Sequence, residues 1–274
     1  MKHILFPTDF SDNSVQAYPY ALDIAYLLGA DLVIFNSYQL PHSKSNVMVS
    51  IIDRMKEDSI NSLKKLKKET LAQEKYKNLK ITTTSRAGSF ASLIPKVANE
   101  FHSDLIVMGT KGASSIKEMF IGTNTLDVIQ RTKIPILTVP ENAENRKVDK
   151  IAMAVDLQKI KNPEQLRPLL EMAKICRASI EFVHVMHPNE EDSTQDRFNQ
   201  IMFLEKFASE IESNINIITE TDIIEGLSRY VETEKPDMLA MLSRKHTLFE
   251  RLFTQSITNK LAFRSEIPLL VMDE

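Results

Sequence analysis

The chain has 274 residues, 43% of them hydrophobic and 26% charged, with a formal net charge of −3. That length suits two domains of about 140 residues each, and the composition excludes a fibrous or disordered chain. The charge is uneven: residues 1–140 hold 17 Lys and Arg against 13 Asp and Glu, whereas residues 141–274 hold 17 against 24. The positive excess of the first half suits a small phosphate-bearing ligand and falls short of the strong local basicity of a nucleic-acid surface.

The first residues, MKHILFPTDFSD, meet a proline and two acids within twelve positions, so no apolar run of signal-peptide or membrane-spanning length forms there. A cytoplasmic protein that engages neither membrane nor nucleic acid is expected. ILFP then reads as a strand, SVQAYPYALDIAYLLG as a helix with apolar residues at helical spacing, LVIFNSY as a strand and 51–77 as a charged helix. ITTTSR, a helix over 90–101, the strand LIVMGT, a helix over 123–131 and the strand PILTVP complete the set. In the charged helix, Lys64, Lys65, Lys67 and Lys68 alternate with Leu63, Leu66 and Leu71, which describes a solvated helix face. Strands alternating with helices imply βαβ units and a mainly parallel sheet with helices on both faces.

The set then recurs. Residues 103–140 align without a gap on 236–273 at a constant offset of 133, placing Asp104 on Asp237, Met108 on Met241, Phe120 on Phe253 and Pro135 on Pro268. HILFPTDFSD (3–12) falls on KIAMAVDLQK (150–159), with Asp9 on Asp156, and DLVIFNSY (31–38) on SIEFVHVM (179–186), at offsets of 147 and 148. The second copy is therefore shorter between its second and third strands. The polar stretch from Glu141 to Lys147 reads as a linker, giving domains at 1–140 and 148–274.

Chemistry-bearing patterns are few. The single cysteine, Cys176, forms no internal disulfide and reads as an ordinary buried small residue. His184 and His187 stand at HxxH spacing on a strand, where a separation of three points them to opposite faces, so no metal site is expected. The chain has neither the Gly-x4-Gly-Lys-(Ser/Thr) loop nor the Gly-x-Gly-x-x-Gly fingerprint, and no triad or paired-carboxylate pattern nominates a nucleophile or base. No catalytic residue is assigned, and whether the protein is an enzyme stays open.

Glycine is informative because the chain has only six, about a third of ordinary usage, and three are Gly109, Gly112 and Gly122. They lie between the strand LIVMGT and a helix opened by Thr123, Asn124 and Thr125, all good N-cap residues. Glycine permits positive φ and close approach of a phosphate, while unpaired amides and hydroxyls at a helix start donate to its oxygens. Turn capping is the alternative role for these glycines. Asp9, at the carboxyl end of the first strand, stands where open α/β sheets bind ligands and can accept from ribose hydroxyls. Its alternative role is an N-cap, which Ser11 or Asp12 fills equally well.

The run Gly109-x2-Gly112-x9-Gly122-Thr123 resembles the nucleotide-binding signature G-x2-G-x9-G-(S/T) of the universal stress protein family, and FPTDFSDNS (6–14) resembles that family's first strand and turn. The resemblance covers essentially the whole chain as two family domains. It implies two tandem Rossmann-like domains of the adenine nucleotide alpha hydrolase-like kind, each a five-stranded parallel sheet with helices on both faces. It also implies a stress-response module that binds ATP, with or without Mg2+, and hydrolyses it weakly at most. Asp9 would then sit at the adenosine end, Pro7, Thr8 and Ser37 would border the adenine, and Met108 would lie under the nucleotide. Lys111 would face the phosphates, although an exposed loop lysine is usually just solvated.

In the second copy Leu242, Lys245, Gln255 and Ser256 replace Gly109, Gly112, Gly122 and Thr123. A Cβ disfavours positive φ and crowds a phosphate, so one nucleotide per chain is expected, held by the first domain. The resemblance further implies that the last strands, IPILTVP and IPLLVM, pair with each other as apolar sheet edges, with a homodimer as further association. A nucleotide-independent scaffold is the second class of function, and an AMP-forming enzyme on a related fold the third.

Overall fold

The structure is a computed structural model that describes residues 1–39, 47–110, 123–144, 147–157, 163–189, 194–243 and 267–273. The chain divides into two compact units, Met1–Glu141 and Asn142–Glu274. The first unit runs β1 (His3–Pro7), α1 (Asp12–Leu28), β2 (Asp31–Tyr38), α2 (Val47–Leu71), β3 (Ile81–Ala87), α3 (Phe90–Glu100), β4 (Leu105–Gly109), α4 (Thr123–Arg131) and β5 (Ile136–Val139). Its strands stand in the order β3-β2-β1-β4-β5, every neighbouring pair parallel. Ile4, Leu5, Leu32, Ile34, Leu105 and Ile106 are fully buried, as strands covered by helices on both faces require.

The order reverses beside β1. The chain steps outward from β1 to β2 and β3, then returns to β4 on the other side of β1. Right-handed crossovers send α1 and α2 to one face and α3 and α4 to the other, and α3 packs on α4. The β1–α1 turn, the end of β4 and the start of α4 thus border one crevice at the carboxyl ends of β1 and β4, the place where such sheets take ligands.

Local chemistry sets the helix ends. Ser11 caps α1 by accepting from Ser14 N at 3.3 Å, and Gly29, at φ 60°, ends it in the left-handed conformation. Helix α2 stops at Leu71, short of the expected 77. Successive turns, with Gln73 N donating to Thr70 O at 3.1 Å and Tyr76 N to Gln73 O at 3.0 Å, fold Tyr76 inward, where its hydroxyl donates to Asp23.

Tyr18, 8% exposed, lies with its hydroxyl 2.6 Å from Thr70 Oγ1. Burial pushes its phenol up to about 12, against the lowering effect of the Thr70 hydrogen bond. A raised folded value makes the stabilisation complete below the unfolded value of about 10 and lost as pH climbs through 12. The loss over that window is about 2–3 kcal/mol. Urea unfolding between pH 10 and 12 is expected to show a shallower fall in stability for Tyr18→Phe than for the wild type, and parallel pH profiles would refute it.

The second unit runs β6 (Lys150–Ala154), a 3-10 turn (Pro163–Leu166), α5 (Arg167–Cys176), β7 (Ser179–Met186), α6 (Thr194–Phe207), β8 (Ser213–Thr219), α7 (Ile223–Glu234), β9 (Met238–Ser243) and β10 (Leu269–Asp273). Its order is β8-β7-β6-β9-β10, again parallel. The shortening expected between its second and third strands falls partly on the helix, 14 residues in α6 against 25 in α2. One aligned pair repeats in atomic detail. Asp104 Oδ2 accepts from Lys2 N and His3 N at 2.5 and 3.0 Å, and Asp237 Oδ2 from Asp149 N and Lys150 N at 2.9 and 3.0 Å. Each carboxylate ties the start of its unit's first strand. Among the described residues no helix is long and apolar enough to cross a membrane.

Candidate functional site

The first unit's crevice is built from the β1–α1 turn upward. Pro7 and Thr8 are buried, and Thr8 N donates to Phe35 O at 2.8 Å, extending the β1–β2 ladder one residue. The Thr8 hydroxyl lies 2.9 Å from Ser14 Oγ and accepts from Phe10 N at 3.0 Å. Asp9 is exposed, and its Oδ1 accepts from Ser11 N and Ser11 Oγ at 3.0 and 2.5 Å. Of the two roles open to Asp9, the capping one goes to Ser11. The aspartate holds the cap residue while its carboxylate stays in contact with solvent at the carboxyl end of β1.

The end of β2 is anchored by polar groups that its apolar sequence does not announce. Asn36, 7% exposed, donates from Nδ2 to Thr8 O at 2.7 Å and accepts at Oδ1 from Ser59 Oγ of α2 at 2.6 Å. Ser59 Oγ in turn lies 2.6 Å from Ser85 Oγ of β3. This chain of hydrogen bonds fixes the carboxyl ends of β1, β2 and β3 and one turn of α2 as a unit. Ser37, next to it, is half-buried and pairs in register with Arg86.

At the end of β4, Met108 is buried and Gly109 has a packing role besides the expected ones. Positive φ is found at Gly29 and Gly88 and not at Gly109. A Cβ on Gly109 would instead lie 2.4 Å from Asn13 Oδ1, 2.8 Å from Asn13 Cγ and 3.1 Å from Asn13 O. The glycine lets the first turn of α1 sit directly on β4. Asn13 cannot swing away freely, because its Nδ2 donates to Val139 O at 3.2 Å, a carbonyl that also accepts from Thr110 N at 3.1 Å.

Helix α4 begins at Thr123, so Thr123, Asn124 and Thr125 form its first turn, with backbone amides that helix geometry leaves without intrahelical acceptors. Asn124 is exposed. The Thr125 hydroxyl is buried and directed inward, toward Gly109 O at 3.3 Å and Thr110 O at 3.2 Å. In this structure the hydroxyl docks α4 on β4. Lys111, Gly112 and Gly122 lie outside the described residues, as does the side chain of Thr123. The groups that are described suit a ligand carrying both hydroxyls and an anion, with an exposed carboxylate at one rim and a helix start at the other.

The second unit departs from this at matching positions. Val155, in the place of Thr8, keeps the ladder bond, donating from N to Val183 O at 2.9 Å, but has no hydroxyl. His184 takes the place of Asn36. Its Nδ1 lies 3.2 Å from Val155 O and 3.5 Å from Leu157 N, and a single nitrogen serves one or the other. Nε2 is buried with no partner among the described residues. His187 lies beyond the strand, exposed, and accepts from Asn189 N at 3.1 Å. Leu242, the counterpart of Gly109, is buried, while Lys245, Gln255 and Ser256 lie outside the described residues. Cys176 is half-buried, not buried, and burial, with the nearby Asp149 charge, pushes its thiol up to about 11.

Comparison with known proteins points one way. The sequence model described as the universal stress protein family matches residues 1–140 and again 147–273. A universal stress protein of Methanocaldococcus jannaschii is 33% identical over 144 residues, covering 50% of this chain and 81% of its own. A second one from that organism is 27% identical over 154 residues, covering 50% and 94%. Among solved structures, a universal stress protein from Archaeoglobus fulgidus superposes with a TM-score of 0.72 at 20% identity, covering 99% of this chain and 96% of its own. The chain therefore belongs to the universal stress protein family, as two tandem domains of its fold.

Proposed function

We propose that the protein is a cytoplasmic, ATP-binding regulatory module of the stress response, with one nucleotide site per chain. Residues 1–140 form the nucleotide-binding domain and 148–274 a partner domain that binds no nucleotide. The observation that carries this reading is the meeting, at the strand-order switch of the first unit, of the exposed Asp9 carboxylate with the glycine-ended β4 and the open first turn of α4. Asp9 accepts from the ribose hydroxyls, Pro7, Thr8, Ser37 and Met108 line the nucleoside, and Lys111, Gly112, Gly122 and the amides of Thr123, Asn124 and Thr125 hold the phosphates. Mg2+, when present, arrives on the phosphates. Nucleotide occupancy alters the surface around the two connections and so the choice of partner.

Calorimetric titration of the full chain with ATP is expected to give micromolar affinity at a one-to-one ratio, and Gly122→Val to abolish it. Two equal sites, or no heat with a folded protein, would overturn the reading.

A further inference from the structure

The β1–α1 turn holds a feature that the proposed contacts leave unused. Phe10 has φ 59°, a left-handed backbone that bulky side chains avoid, and its ring is 37% exposed, although phenylalanine is among the residues most often buried. The conformation is braced from both sides. Phe10 N donates to the Thr8 hydroxyl at 3.0 Å, that hydroxyl lies 2.9 Å from Ser14 Oγ, and the following amide, Ser11 N, donates to Asp9 Oδ1 at 3.0 Å.

The second unit serves as an internal control. Val155 replaces Thr8 and has no oxygen to accept the bracing bond. Leu157, in the place of Phe10, is fully buried and is not among the left-handed residues. The fold therefore requires neither the strained backbone nor the exposed ring. Both occur in the unit that retains the glycine signature, on the connection that borders the crevice. Strain that a structure braces in this way is characteristic of ligand clamps.

We propose that Phe10 forms an apolar wall over the nucleoside half of the ligand bound by the first unit, its ring covering the base and taking no part in phosphate binding. A hydrocarbon ring offers a phosphate no donor, whereas an aromatic face stacks on any base and gains from excluding water there. This makes the contact indifferent to phosphate count and stronger for purines than for pyrimidines, which cover less of the ring. The proposal rests on the nucleotide reading above.

The test titrates ATP, ADP, AMP and adenosine into the full chain and into Phe10→Ala, Phe10→Gly and Phe10→Tyr. Loss of the ring in the Ala and Gly variants is expected to weaken every ligand by about the same factor, roughly tenfold, with Phe10→Tyr within about twofold of wild type. Glycine accepts the left-handed conformation, so Phe10→Gly is expected to melt no lower than Phe10→Ala, separating a ligand role from a packing one. If wild type binds and Phe10→Gly or Phe10→Ala binds as well, or if the loss tracks the number of phosphates, the wall is overturned while the nucleotide reading stands. A wild-type chain that binds none of the four overturns both.

Discussion

Gly109→Ala is expected to destabilise the first unit by about 1–3 kcal/mol, the usual cost of forcing extra volume into a packed interior, and to lower its melting midpoint by roughly 3–10 °C. The added Cβ would lie 2.4 Å from Asn13 Oδ1 and 3.1 Å from Asn13 O. Moving the side chain breaks its bond to Val139 O, and relieving the backbone contact lifts the first turn of α1, together with the β1–α1 turn that carries Asp9, off β4. Nucleotide affinity is expected to fall with stability, and Gly109→Val to lose both. Asn13→Ala removes the closest atoms, so the Asn13→Ala, Gly109→Ala double variant should be less destabilised than the sum of its parts by about 1 kcal/mol. Scanning calorimetry of the four proteins decides: an alanine variant melting within a degree of wild type would show that this packing does not constrain the site.

The second large effect is expected at Asn36. Asn36→Leu deprives Thr8 O of the Asn36 donor and Ser59 Oγ of an acceptor, both buried. Ser59 Oγ keeps Ser85 Oγ at 2.6 Å, so Thr8 O is the group left unsatisfied, and the expected loss is about 1–3 kcal/mol. Asn36→His should cost less, because His184 already makes the corresponding contact to Val155 O in the second unit. Denaturant midpoints of the two variants test this. Equal losses, or a neutral Asn36→Leu, would remove the Thr8–Asn36–Ser59–Ser85 chain as the support of the crevice.

These two residues also mark the limit of what could be read in advance. The strands and helices of the first unit follow the apolar periodicities, with α1 and α3 close to their expected spans and α2 ending early because Tyr76 turns back to Asp23. The repeat was legible down to Asp104 and Asp237, whose carboxylates make the same pair of backbone contacts. Gly109 stands out in the sequence for the rarity of glycine; it does not take the positive φ that glycine permits, and its contact with Asn13 adds a packing role that the sequence does not show. Thr125 was chosen as a hydroxyl at a helix start, and its hydroxyl faces the β4 carbonyls. Asn36 was passed over as the polar end of an apolar run, since its partners lie 28 residues back, at Thr8, and 23 ahead, at Ser59.

By itself the amino-acid sequence determined the duplicated α/β architecture, the family and the unequal retention of the glycine signature, because periodicity, helix ends and repeated motifs are properties of neighbouring residues. Only the tertiary structure decided which polar groups brace the crevice and which face it. Those roles depend on contacts between α1 and β4, between α4 and β4 and along β1, β2, α2 and β3, where steric exclusion and buried hydrogen bonding act between residues far apart in the chain. The same holds for Phe10, whose strained backbone and exposed ring become visible only when set against the buried Leu157 of the second unit.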